Sequence, residues 1–201
     1  MAPRDGRCKV NMKDISLIGF MGCGKSSVGK ILATLLPECR LIDLDTYIEE
    51  KQGKNIPEIF NENGEAAFRR MEREALEEIF SDKSRPRAIL SLGGGTVTSE
   101  QCRQLIRQHT DCFYLRATTD TLLSNLEGHS DGRPMLNPTQ PVEAQSTETS
   151  SEREALRHRI ESLMQTRSPQ YIATAHHIID IDGLSFAQIA EAVEDNILNI
   201  K

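Results

Sequence analysis

Residues 19–27 read GFMGCGKSS, and Gly19, Gly24, Lys25 and Ser26 fit the spacing G-x-x-x-x-G-K-[ST]. Glycines let backbone N–H groups turn inward around phosphate oxygens, and a following helix N-terminus adds its positive dipole end. The pattern sets Gly22, Cys23, Gly24, Lys25, Ser26 and Ser27 against a nucleotide. The Lys25 amine would reach the β- and γ-phosphates and the Ser26 hydroxyl would ligate Mg²⁺. Cys23 has two readings. Beside a helix terminus its thiol can become reactive, which predicts alkylation that nucleotide blocks; alternatively it is a small side chain filling a gap.

Other stretches bear on what receives the phosphate. No guanine-reading [NT]-K-x-D motif is present, which argues against a timed GTPase switch. Asp43 and Asp45, in DLD, close a strand pattern, and residues two apart on a strand point the same way. One carboxylate could hold Mg²⁺ through water while the other takes a proton or hydrogen bond from an acceptor hydroxyl. A solvated strand-end pair is the alternative. In FRRMEREALEEIF, helical spacing buries Phe68, Met71, Ala75, Leu76 and Ile79. Arg69 then flanks the buried face with Glu72 at i+3 to orient it, and Arg70 points into solvent.

SLGGGTV puts Gly93, Gly94 and Gly95 directly after a strand, where backbone can approach a ligand closely. Arg133, in DGRPML, sits in a polar stretch from which it could swing onto phosphates. Arg167, in TRSPQY, reads as the end of a long helix stopped before Pro169. Arg69 and Arg167 together could hold a carboxylate in charge-assisted bonds.

The elements that must position these residues alternate. Strands are expected at residues 14–19, 40–45, 87–92, 111–117 and 176–181. Helices are expected at residues 25–36, 46–52, 66–80, 99–109, 119–126, 152–167 and from 185 onward. Such alternation predicts an α/β domain with a parallel sheet covered on both faces, its ligands bound beyond the carboxyl ends of the strands. Residues 127–151, rich in Gly, Pro, Ser, Thr and Glu, are too long for an idle connection and read as a lid or an unstructured insert.

Composition narrows the function classes. A chain of 201 residues suffices for one substantial domain, taken as residues 14–201 after a charged arm at 1–13 that lacks a signal peptide's apolar core. The net charge of −6 argues against a nucleic-acid surface, so an anionic ligand must meet a local cluster of cations. No apolar run approaches membrane-spanning length. Five cysteines without a C-x-x-C pair suggest neither a disulfide framework nor a zinc site, and a reducing cytoplasm is expected. The pair His176-His177 reads as the start of a strand.

Taken in order, GFMGCGKSS, DLDTYIE, IFNENGEAAFRRME, SLGGGTV, GRPML and RSPQY make the chain resemble the shikimate kinases from about Asp14 to Ile197. The resemblance implies transfer of the γ-phosphate of ATP to the 3-hydroxyl of shikimate, on the route to aromatic amino acids. It also implies a Mg²⁺-dependent monomer with a three-layer P-loop kinase fold: a five-stranded parallel sheet, helices on both faces and a mobile lid. By motif, Ser26 would ligate Mg²⁺ with Asp43 in its outer shell. Asp45, Arg69, Gly93, Gly94, Gly95 and Arg167 would bind shikimate, and Lys25 and Arg133 would contact the transferring phosphate. Another small-molecule kinase of this fold, such as one for gluconate, and a nucleotide-binding regulatory module are the rivals. The chain departs from the pattern in having no Lys or Arg between Thr119 and Gly132 and none in DIDGLS, which leaves the hold on adenine to other residues.

Overall fold

The computed structural model of the protein describes residues 13–126 and 148–199. Five strands form one sheet: β1 (Asp14–Ile18), β2 (Arg40–Asp43), β3 (Ala88–Ser91), β4 (Thr110–Arg116) and β5 (His177–Asp180). Their spatial order is β2-β3-β1-β4-β5 and every pair is parallel, with Ile15 opposite Ile89 and Asp111, and Asp43 opposite Ser91. Around it run α1 (Lys25–Leu35), α2 (Leu44–Gln52), α3 (Ile56–Ser81), α4 (Glu100–His109), α5 (Thr119–Leu126), α6 (Glu148–Thr174) and α7 (Phe186–Asn199).

The period of two along the strands divides the core. Ile15 and Leu17, Ile89, and Phe113 and Leu115 join one apolar cluster with Val28 and Leu32 of α1 and Ile189 and Val193 of α7. The intervening Ile18, Leu90, Cys112 and Tyr114 join a second with Leu76 and Ile79 of α3 and Ile106 of α4. Ser16, facing that second side, is fully buried and shares a 2.7 Å hydrogen bond with the Thr110 hydroxyl, which offsets its desolvation. Both faces are thus covered, as the continuous apolar strands require.

Three elements differ from the sequence expectation, each for a local reason. The second strand stops at Asp43, whose carboxylate accepts from the Asp45 and Thr46 N–H groups and caps α2, so Asp45 lies on a helix rather than two places along a strand. Helix α3 begins ten residues before the expected Ala66, at a capping box formed by Asn55 and Glu58. It bends at Gly64, whose φ of 75° is non-helical. Helix α6 runs through Pro169 to Thr174, so Arg167 sits within the helix and not at its end. The tail beyond the proline is held by Tyr171 and Thr174, both fully buried. His176 precedes β5, its Nδ1 accepting from the Cys112 N–H, and His177 stacks on Phe113. No described helix is long and apolar enough to cross a membrane.

Candidate active site

The loop between β1 and α1 is the first wall. Gly22 and Gly24 have φ of 84° and 87°, left-handed values that glycine adopts without strain. They turn the chain so that Lys25 opens α1. The Lys25 side chain folds back into the loop, its ammonium donating to the carbonyls of Gly19 at 3.0 Å and Phe20 at 3.1 Å. A cation is therefore held at the centre of the loop by groups that can yield it to phosphate oxygens. Cys23 is fully buried, packed in the apolar cluster beneath the loop with its Sγ 3.8 Å from the Lys25 ammonium. This burial suits a gap-filling side chain, and Cys23 is not among the residues that line the pocket.

Beside the loop, Ser26 Oγ donates to Asp43 Oδ2 at 2.7 Å and lies 3.2 Å from Ser91 Oγ. This oxygen cluster stands where three ends meet: α1 begins, β2 stops and β3 stops. Its donors are hard oxygens, the type Mg²⁺ takes together with phosphates and water.

The opposite wall comes from α2, α3 and the turn after β3. Arg69 donates to Glu72 at 2.6 Å and to Glu65 at 3.0 Å, yet its Nε is buried without a hydrogen-bond partner among the described residues. Glu72 is fully buried and also accepts from the Thr96 hydroxyl. Burial pushes its carboxyl up from the usual range, against the pull of Arg69 and Thr96. Arg70 is exposed. Asp45 stands between the walls, and burial, then the negative charges of Glu72 and Asp43, raise its carboxyl to about 7 despite Lys25 and Arg69.

The three glycines after β3 make room. A methyl group on Gly93 would meet Glu72, Asp45 and Thr96 at 2.9–3.1 Å, and one on Gly94 would come within 3.1 Å of the Met21 nitrogen. On Gly95 it would collide with the Arg69 guanidinium at 2.1 Å. Arg167 of α6 closes the floor. It is 3% exposed, lies over the Phe20 ring at 5.9 Å, and its Nη1 has no partner among the described residues. The walls enclose a pocket of about 740 Å³ at the carboxyl ends of the strands. One end is polar and cationic, with Arg69 and Arg167, flanked by the apolar Ile56, Phe60 and Phe68. The other reaches over the loop to Ser124, Asn125 and Phe186.

The shikimate kinase family model matches residues 21–198. The chain belongs to the shikimate kinase family. A shikimate kinase of Chlorobaculum tepidum is 40% identical over 158 residues, covering 79% of this chain and 76% of that one. A Thermus thermophilus shikimate kinase is 34% identical over 183 residues, covering 91% and 89%. Among solved structures, shikimate kinase from Acinetobacter baumannii in complex with shikimate superposes with a TM-score of 0.77 at 30% identity, covering 94% of this chain and 96% of that one. A tunicamycin resistance protein of Deinococcus radiodurans, 18% identical with a TM-score of 0.57, shares the fold alone. The fold is that of the P-loop kinases, as the resemblance implied, and its covered parallel sheet is what the alternation of elements predicted.

Within this shikimate kinase pocket stand Gly22, Gly24, Lys25, Ser26, Ser27, Asp43, Asp45, Arg69, Gly93, Gly94, Gly95 and Arg167. Arg133 and nearly all of the 127–151 stretch lie outside the described residues, as does the arm before Lys13. Sequence reasoning passed over Thr96, Ser91, Asn125 and Phe186. Asn125 Nδ2 donates to the Gly22 carbonyl at 2.9 Å, and Phe186 packs on Gly24, where a methyl group would meet its ring at 2.5 Å. Nothing in the spacing marks these four. Phe186 is 43% exposed, a fact that only the structure supplies.

Proposed function

We propose that the chain transfers the γ-phosphoryl group of ATP to the 3-hydroxyl of shikimate, with the residues of this pocket in separate roles. Arg69 and Arg167 hold the shikimate carboxylate. What supports this most directly is that Arg69 and Arg167 both line a pocket whose other wall is a phosphate loop, and that each has a buried guanidinium nitrogen, Arg69 Nε and Arg167 Nη1, with no hydrogen-bond partner among the described residues. Buried donors are costly to leave unpaired, and a carboxylate supplies the missing acceptors. The apolar Phe60 and Phe68 suit the ring carbons of a small cyclic acid.

Lys25 releases its loop carbonyls to meet the β- and γ-phosphates, and Arg133 joins it on the transferring group. Ser26 would ligate Mg²⁺ and Asp43 would contact it through water; when bound, the ion neutralises phosphate charge. Asp45 hydrogen-bonds the acceptor hydroxyl and takes its proton as the bond to phosphorus forms. The fixed arginines orient that hydroxyl in line with phosphorus, so most of the rate enhancement comes from positioning and charge.

The test is ADP release with ATP and Mg²⁺, with shikimate, with gluconate, or with neither. ADP formed on addition of shikimate alone supports the reading; release with gluconate, or with neither acceptor, overturns it. Two variants probe its parts. Arg133→Ala is expected to lower kcat, and normal turnover would remove that arginine from the mechanism. Gly95→Ala is expected to displace the Arg69 guanidinium and raise the shikimate KM about tenfold, from roughly 1–3 kcal/mol of overpacking. An unchanged KM would mean that Arg69 does not need its place beneath the turn.

A further inference from the structure

We infer that Tyr171 is a positioning residue for the acid-binding end of the pocket, holding the 93–95 turn and Arg167 in one arrangement. The inference rests on the shikimate reading above. Tyr171 is fully buried, and its ring stacks on Tyr114 with centroids 4.9 Å apart. Its hydroxyl donates to the Gly94 carbonyl at 2.5 Å. A phenylalanine would fill the same apolar space without a polar atom to satisfy, so the hydroxyl is accounted for by what it grips.

Two further contacts give that grip a consequence. Tyr171 follows Arg167 by four residues on α6, so the two share a helix face, and the Arg167 guanidinium is the charged group closest in effect to the phenol. Burial pushes the phenol well above its usual range, so the hydroxyl stays a proton donor across the working pH. Gly94 also lies against the phosphate loop, where a methyl group on it would come within 3.1 Å of the Met21 nitrogen and 3.6 Å of the Gly19 carbonyl oxygen. The turn therefore touches both the loop and the Tyr171 hydroxyl. Removing the hydroxyl releases one of these two holds and, with it, the registry between the turn and Arg167. The phosphate loop keeps its own hydrogen bonds through Lys25 and is untouched.

The experiment is Tyr171→Phe in the full chain, which deletes one oxygen and keeps the stacked ring. Steady-state kinetics with each substrate varied, calorimetric titration of shikimate and thermal unfolding are measured beside the wild type. The shikimate KM and Kd are expected to rise about three- to tenfold, the worth of a neutral hydrogen bond. The ATP KM and kcat should stay within about twofold. A lower melting temperature with unchanged shikimate constants would reduce Tyr171 to a stabilising role and overturn the inference. So would an equal rise of both KM values, the mark of general loosening. Failure of the wild type to release ADP with shikimate would strike the underlying reading instead, before the variant is compared.

Discussion

Replacing Arg167 by alanine is expected to raise the shikimate KM about ten- to a hundredfold while lowering kcat far less. A hydrogen bond to a charged group is worth roughly 1.5–3 kcal/mol, and that range converts to about this loss of affinity. The side chain is almost wholly buried and one of its nitrogens lacks a partner among the described residues, so what is removed is a donor prepared for an anion. Arg69→Ala should raise the same KM but behave differently in unfolding. Glu72 is fully buried and Arg69 neutralises it, so the variant leaves a buried carboxylate with the Thr96 hydroxyl as its remaining side-chain partner. Breaking such a buried pair typically costs about 3–5 kcal/mol. The melting temperature should therefore drop markedly for Arg69→Ala and little for Arg167→Ala. Kinetics with shikimate varied and thermal unfolding of both variants check this. Unchanged shikimate KM in both would dismantle the clamp.

The difference between these two arginines shows which parts of the site were legible in the sequence. Arg69 was readable because helical spacing fixes its neighbours: the same periodicity that buries Leu76 and Ile79 puts Glu72 one turn away. Arg167 was readable as a residue and misplaced as structure. Pro169 usually ends a helix, but here the burial of Tyr171 and Thr174 overrides the missing N–H and carries α6 onward. Asp43 and Asp45 were paired for the wrong geometric reason. A strand would have pointed both carboxylates one way, whereas Asp43 caps the helix on which Asp45 rides, and the two reach the same pocket from different elements. The purpose of the three glycines was half legible. Spacing announces close approach but cannot say that what approaches Gly95 is the protein's own Arg69. Contacts that depend on residues far apart in the chain, such as Tyr171 on Gly94, leave no periodic trace.

The second large effect concerns Asp45. With its carboxyl raised to about 7, the group is partly protonated at neutral pH, and the protonated form cannot accept a proton from the acceptor hydroxyl. The kcat/KM for shikimate should therefore fall as pH drops through about 7 and level off above it. Asp45→Asn, which resembles the protonated acid, should lose this dependence and lower kcat by about a hundredfold or more, the usual span for a proton acceptor. The same shift makes a prediction about stability with an unusual sign. In the unfolded chain the carboxyl ionises near 3.9, whereas the folded chain keeps its proton until about 7. Between those values the folded state binds the extra proton, so wild-type stability declines as pH rises, and the full penalty is present above about 7. The asparagine variant carries no such penalty. Its melting temperature should match that of the wild type near pH 4, pull ahead as pH rises toward 7, and keep a constant lead beyond. Parallel melting curves would show that the carboxyl is not raised in the folded protein, and a flat wild-type rate profile would remove Asp45 from the proton transfer.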